Sequence, residues 1–174
     1  MKNFCISFTL FLIIILSLAA CVITPKSNTR TEYLRIHIRA DSNIDAAQAV
    51  KYKVKDAVVE FLTPVISECD TKEKAERAIS GNLAAIKSVA DKVLYEQGFD
   101  YRATVKINNE NFPTRNYGNF TLNEGYYDAL IIELGSGRGD NWWCVVYPPL
   151  CFTGTGTNYV YKSKILEIIR NFFG

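Results

Sequence analysis

The sequence predicts an α+β fold: a single domain with a mainly antiparallel sheet and helices packed on one of its faces. The chain has 174 residues, the usual size of one domain. Hydrophobic residues make up 48% of it, which is enough for one self-sufficient core. Its segments follow the order strand, two helices, three strands and helix. Helices clustered before a run of strands are typical of α+β domains.

The first strand and the first helix follow from residue spacing. Tyr33 to Ala40 alternates between apolar and polar residues, which predicts a half-buried strand. Ser42 and Asp45 have capping-box spacing and open the first helix. Pro64 ends this helix, because the residue before a proline avoids helical angles. The polar face of the strand consists of Arg35, His37 and Arg39.

The remaining elements follow from caps, glycines and alternation. Asp70 and Thr71 offer a cap to a second helical stretch, and Gly81 bends or splits it. Gly98 occupies the place of a left-handed C-terminal cap. The predicted segments after it are a strand over 101–107, a turn over 108–111, strands over 126–134 and 142–147, and a last amphipathic helix that begins near Tyr161.

The glycine-rich stretch from Gly135 to Asp140 joins two predicted strands. It lacks the Lys-Ser/Thr pair of a P-loop, and no helix follows whose N-terminus would face a phosphate. We therefore expect a flexible hairpin loop and predict no cofactor at this position.

The N-terminus has the features of a secretory signal peptide. Residues 3–25 carry no charge, Lys2 supplies a short positive region, and small residues follow the apolar centre. The predicted organisation is a signal peptide over 1–21, a tether over 22–31 and a domain over 32–174. We therefore expect the domain to work outside the cytoplasm.

The fate of this leader has three alternatives. A small-residue cleavage site fits between Ala19 and Val22. The stretch from Leu18 to Cys21 also resembles a lipobox, in which Cys21 becomes the lipidated first residue. In the third alternative the apolar segment stays as an uncleaved membrane anchor.

Charge argues against a nucleic-acid partner. The formal net charge is +2, and no basic stretch resembles the electrostatic footprint of a DNA- or RNA-binding surface.

The stretch around two adjacent tryptophans is the candidate partner-binding surface. Trp142 and Trp143 face opposite sides of the sheet if they lie on a strand. Either both rings are core, or one of them contacts a partner, because a large aromatic ring is unfavourable in water. The predicted partner-binding residues are Asn141, Trp142, Trp143, Pro148 and Pro149.

The cysteines and the single histidine allow several alternatives. Cys144 and Cys151 either form a disulfide in an exported chain or remain thiols. His37, between two arginines, is either a structural histidine or the base of a Cys-His pair with one of these cysteines. We favour the structural histidine. One histidine and no close cysteine pair argue against a metal site.

Several blocks of the sequence resemble the stage II sporulation protein R family of endospore-forming bacteria. The similarity runs from about Tyr33 to the C-terminus. The blocks that carry it are Arg35 to Ser42, Gln48 with Lys51 and Val54, Phe112 to Thr114, Leu134 to Gly139, Asn141 to Val145 and Pro148 to Phe152.

The resemblance implies a function that no motif shows. Proteins of this family are exported from the forespore into the space between the two sporulation membranes. There they activate a membrane-bound aspartic protease, which processes pro-sigma-E. The resemblance thus implies a non-enzymatic signal whose partner is this membrane-embedded protease.

Two other functional classes remain as alternatives. One is an extracytoplasmic Cys-His hydrolase with Cys144 or Cys151 as nucleophile and His37 as base. The other is a cell-wall-binding module that uses exposed aromatic side chains.

Overall fold

The structure, a computed structural model, describes residues 32–118, 120–153 and 159–173, and of residues 159–163 the backbone alone. These residues belong to one unit of the chain, Thr31–Gly174. The predicted signal peptide over 1–21, with Cys21, and the predicted tether over 22–31 lie outside the described residues.

A mixed four-stranded sheet forms the centre of the fold. The strands of the chain are β1 (Leu34–Arg39), β2 (Ala103–Phe112), β3 (Arg115–Tyr117), β4 (Phe120–Leu122), β5 (Gly125–Leu134) and β6 (Asn141–Tyr147). The order across the central sheet is β2-β5-β1-β6, and β3 and β4 form a separate hairpin. β1 is parallel to β5, while the β1–β6 and β2–β5 pairings are antiparallel. The predicted α+β class with a mainly antiparallel sheet is confirmed.

All four described helices contribute to a core on one face of this sheet. They are α1 (Asp45–Ser67), α2 (Lys72–Gly81), α3 (Leu83–Glu96) and α4 (Tyr159–Phe173). The core includes Leu34, Ile36 and Ile38 from β1, each fully buried. Burial of one such side chain stabilises the fold by roughly 1.5–3 kcal/mol. Within the described ranges, no helix has the length and hydropathy to cross a bilayer.

Local signals place the ends of α2 and α3 correctly. Thr71 is the N-cap of α2, and its hydroxyl accepts a hydrogen bond from Lys74 N at 3.2 Å. α2 ends at Gly81, and α3 begins at Leu83, so the predicted split is confirmed. Gly98 has φ +79°, the left-handed conformation predicted for a C-terminal cap.

The predicted end of α1 at Pro64 is wrong, because the helix continues to Ser67. Proline removes one donor, which leaves the carbonyl of Glu60 without its helical partner. Glu60 lies on the exposed side of the helix. Ile66, fully buried in the core, keeps the last turn in place.

The predicted turn over 108–111 is also wrong. β2 runs through these residues and pairs with β5 as far as Phe112 opposite Gly125. Asn109 has a side-chain partner in this strand, because it donates to Asp128 on β5 at 2.9 Å. The hairpin of β3 and β4, which follows, was not predicted, since three-residue strands show no alternation.

The loop from Gly135 to Asp140, which we call the glycine loop, is not the flexible hairpin expected. β1 lies between β5 and β6, so this loop crosses the end of β1. It is bonded there to the β1–α1 connection: Gly139 N donates to Ala40 O at 2.8 Å, and Ser136 N to Asp41 Oδ1 at 2.7 Å. These bonds hold the loop in one conformation.

The same bonds replace the predicted capping box of Ser42 and Asp45. The N-cap of α1 is Ile44, and no side chain caps the helix there. Asn43, the neighbouring polar residue, instead accepts a hydrogen bond from Asp140 N at 2.6 Å. The β1–α1 connection therefore uses its polar groups to bind the glycine loop.

Gly139→Ala is expected to destabilise the protein by about 1–3 kcal/mol, the usual effect of overpacking. The added Cβ would lie 2.4 Å from the backbone oxygen of Ser42. Gly81→Ala is the matched control, because no atom lies within 4 Å of its added Cβ. Urea unfolding measures both. An equal midpoint for Gly139→Ala and the wild type would contradict the close approach.

Candidate functional site

The face of the sheet away from the helix core carries the candidate site. A second core lies on it, formed by the buried residues Phe112, Leu122, Tyr127, Ala129, Ile131 and Val145. Polar residues border this second core. We call them the polar rim: Arg39, Lys106, Glu110, Glu133 and Asn141.

A bent ribbon of two strands covers this face. β2 and β5 are each ten residues long, whereas β1 pairs with β5 only over 129–133. The part of the ribbon that extends beyond β1 bends back over the sheet. Phe112, the last residue of β2, there contacts the ring of Trp143, with centroids 4.7 Å apart. Strong twist, common in two-stranded ribbons, explains this return over the sheet. Arg35 and His37 are therefore only 0% and 1% exposed, and the prediction that β1 is half-buried is wrong.

His37 stacks on Trp143 at the centre of this face. The ring centroids are 3.6 Å apart and the planes differ by 19°. The Nδ1 atom lies 3.4 Å from Oε2 of Glu110. Burial lowers the pKa of His37 and Arg39 lowers it further, while contacts with Asn141 and Glu110 offset part of the shift. The ring is thus neutral at pH 7 and packs as an aromatic side chain.

Arg39 organises the polar rim. Its guanidinium donates to Glu133 Oε1 and to Glu110 Oε2, each at 2.6 Å. Lys106 adds a longer contact to Glu133 at 3.3 Å. These side chains are partly exposed, at 27% for Arg39 and 16% for Glu110, so each ion pair stabilises the fold by little. Their joint effect is to fix the positions of the rim charges.

The five predicted partner-binding residues do not share one surface. Trp142 faces the helix core and Trp143 faces the second core, as alternation on a strand requires. Both rings are half-buried, Asn141 is exposed, and Pro148 and Pro149 are buried. Asn141, Trp142 and Trp143 thus keep accessible surface, and of these Asn141 and Trp143 lie on the face of the second core. The binding role of this surface stays a prediction.

The structure does not bring His37 together with either cysteine. Cys144 and Cys151 are joined by a disulfide, with their Cα atoms 6.3 Å apart. Cys144 pairs with Ile36 across the strands and belongs to the helix core, whereas His37 points to the other face. The Cys-His arrangement expected for a hydrolase is absent from the described part of the chain.

Several rim residues are not predicted by the sequence. Glu110 lies within an asparagine-rich stretch that resembles a turn, and Lys106 and Glu133 resemble ordinary solvated strand residues. The sequence signals are that Lys106 alternates with apolar residues along its strand and that Glu133 is a charge within a mainly apolar one. Among residues 32–118, 120–153 and 159–173, no group of three or more His, Cys, Asp or Glu side chains is placed to hold a metal ion.

Alkylation of the denatured but unreduced exported protein is expected to modify Cys69 and to spare Cys144 and Cys151. Cys69 is a buried free thiol, which denaturation exposes, whereas the other two sulfurs are joined. Peptide mass spectrometry locates the label, and a reduced sample, in which all three residues react, is the control. Label on Cys144 without reduction would contradict the disulfide.

The free energy of unfolding is expected to fall as the pH drops from about 7 to about 5. The unfolded ring of His37 has a higher pKa than the folded ring, so protons favour the unfolded chain. The contribution of His37 to the free energy of unfolding is fully present above the pKa of the unfolded ring. It is lost as the pH falls toward the lower pKa of the folded ring.

His37→Gln should flatten this slope, because the chain contains one histidine. Urea unfolding at both pH values measures the effect, and circular dichroism controls for folding. A variant with the wild-type slope would show that other groups cause the pH dependence.

Comparison with known proteins agrees with the resemblance seen in the sequence. The family described as Stage II sporulation protein R matches residues 30–157. Stage II sporulation protein R of Bacillus subtilis (strain 168) is 35% identical over 131 residues, which cover 75% of this chain and 58% of that protein. The chain thus spans less than two thirds of that relative's length. No solved structure matches significantly. This chain belongs to the Stage II sporulation protein R family, and its role lies in sporulation.

Proposed function

We propose that this chain is an intercompartmental signal of endospore formation. It is exported from the forespore into the space between the two sporulation membranes. There it activates a membrane-embedded aspartic protease that processes pro-sigma-E. The observation that carries this proposal is the family match over residues 30–157.

The leader and the disulfide support export. Residues 3–25 carry no charge, as a signal peptide or a membrane anchor requires. The Cys144–Cys151 disulfide is typical of proteins in oxidising compartments outside the cytoplasm. Retention of the leader, or lipidation at Cys21, would keep the domain on the forespore membrane that it has crossed, facing the intermembrane space.

The arrangement of His37 supports binding rather than catalysis. Its ring is 1% exposed and stacked on Trp143, so it does not reach a substrate. The cysteines that were its candidate partners lie on the other face of the sheet. In this proposal the chain is not an enzyme. It binds the active state of the protease more tightly than the inactive state, and this difference in affinity drives activation.

We assign the receptor contact to Trp143 and the polar rim. Protein interfaces combine a partly accessible aromatic anchor with a border of polar groups. Trp143 is such an anchor, and Asn141 is the exposed rim residue beside it on β6. Trp142 packs on the helix side of β6. The end of this strand is followed by the buried Pro148 and Pro149.

Asn141→Arg is expected to reduce pro-sigma-E processing by at least roughly ten-fold, the effect of losing about 1.4 kcal/mol of binding. The new side chain adds bulk and a positive charge at the rim, next to Arg39. Tyr95→Arg is the matched control, because Tyr95 is 73% exposed on α3, which packs on the opposite face of the sheet.

The measurement is the ratio of processed to unprocessed sigma-E in sporulating cells, by immunoblot. The amount of each exported variant is determined in the same samples. Equal processing by Asn141→Arg and Tyr95→Arg at equal export would remove the rim from the contact surface. A wild-type chain that is exported but supports no processing would contradict the signalling function itself.

A further inference from the structure

Arg35 is a fully buried arginine in the second core, with 0% exposure. Its Nη2 donates to the hydroxyl of Tyr117 at 2.7 Å. Its Nε and Nη1 have no hydrogen-bond partner among the described residues. Buried charged groups are ordinarily paired, because an unpaired buried charge is strongly unfavourable. Arg35 departs from this rule.

Aromatic rings surround the guanidinium in place of a carboxylate. The Cζ atom lies 4.3 Å from the ring centroid of Phe112, 4.9 Å from that of Tyr127 and 5.9 Å from that of Tyr117. Such rings attract a cation through their faces. They offer no acceptor for the two free nitrogen atoms. The attraction therefore retains the charge without satisfying its hydrogen bonds.

A second arginine increases the positive charge at this place. Arg115 is exposed on β3, two residues before Tyr117, and makes no ion pair within the described part of the chain. The groups that act electrostatically on Arg35 are Tyr117, Tyr127 and Arg115, and none of them is a carboxylate. Among the residues that the structure describes, neither of the two cations at this hairpin end forms an ion pair with a carboxylate.

Arg39, four residues further along the same strand, shows the ordinary arrangement. It bonds to two carboxylates, those of Glu110 and Glu133. Both arginines lie on the same face of β1, in the same sheet. The lack of a carboxylate partner is therefore specific to the position of Arg35. A buried polar group without a hydrogen-bond partner in a native structure calls for an explanation.

We propose that Arg35 is the binding site for a carboxylate of an acidic peptide segment. The half-buried Tyr117 side chain moves aside and uncovers the guanidinium. An Asp or Glu side chain of the partner then replaces the hydroxyl and accepts hydrogen bonds from two guanidinium nitrogen atoms, the bidentate geometry that arginine favours. Arg115 attracts the acidic segment to this place. The assignment of this segment to the receptor protease rests on the proposed function.

The test is a binding assay with the full chain in non-ionic detergent. A fluorescein-labelled hexaglutamate peptide is the probe, a hexaglutamine peptide is its control, and fluorescence anisotropy measures both. The wild type should prefer hexaglutamate. Arg35→Met should weaken that binding at least ten-fold, and the exposed Arg115→Gln should weaken it several-fold.

Tyr117→Phe separates a binding site from a structural role. It removes the hydroxyl that competes with the peptide, so hexaglutamate should bind roughly ten-fold more tightly, the effect of one hydrogen bond to a charged group. If Arg35 served only to hold the hairpin, this variant would lower the thermal midpoint and leave peptide binding unchanged.

Three results would overturn the proposal: no preference for hexaglutamate, wild-type affinity in Arg35→Met, or unchanged affinity in both Arg115→Gln and Tyr117→Phe. The last two variants decide the question if Arg35→Met does not fold. Pro-sigma-E processing in cells that express Arg35→Met then tests whether the carboxylate belongs to the receptor protease. Loss of processing at normal export supports the receptor as its source, and normal processing excludes the receptor. If the wild-type chain has no signalling activity, the proposed function is contradicted. The peptide assay still shows whether Arg35 binds a carboxylate.

Discussion

Hydrogen bonds at the end of β1 hold this fold together. β5 and β6 lie on either side of β1, so the glycine loop between them has to cross that end. Gly139 passes close to the carbonyl of Ser42 there. Lys51, only 1% exposed, donates from α1 to Asp140 O at 3.0 Å and to Gln48 at 2.6 Å. The crossing thereby fixes β6, with its tryptophans and its disulfide, against the helix layer.

The consequence is a sheet with two different faces. One face meets four helices and contains the aliphatic core, to which most of the buried apolar residues belong. The other face is covered by a bent ribbon and a short hairpin, and it contains Arg35, His37 and Trp143. Positive charge, an aromatic anchor and a polar rim coincide on the second face. We therefore propose that the binding surface of this chain lies on that face and not on the helix layer.

Local interactions were predictable because they act within one turn of the chain. Thr71 caps its own helix, and Gly98 takes the left-handed conformation that its position requires. Predictions failed where distant residues decide. The helix passes Pro64 because Ile66 is buried by other elements, and the stretch 108–111 is extended because β5 pairs with it. The blocks at 35–42 and 135–139, on which the family resemblance rests, meet in space at the loop crossing.

The order of the longer elements, the α+β class and the family all follow from the printed residues, because periodicity, caps and sequence motifs are properties of neighbours along the chain. The short β3–β4 hairpin is the element that this order omits. The second core does not follow from the printed residues. Alternation along β1 separates Arg35, His37 and Arg39 from the apolar residues, but it does not show whether water or protein faces them. That outcome depends on the twist of the β2–β5 ribbon, which places Phe112 over the sheet. Long-range packing of this kind buries one arginine and leaves the other at the rim.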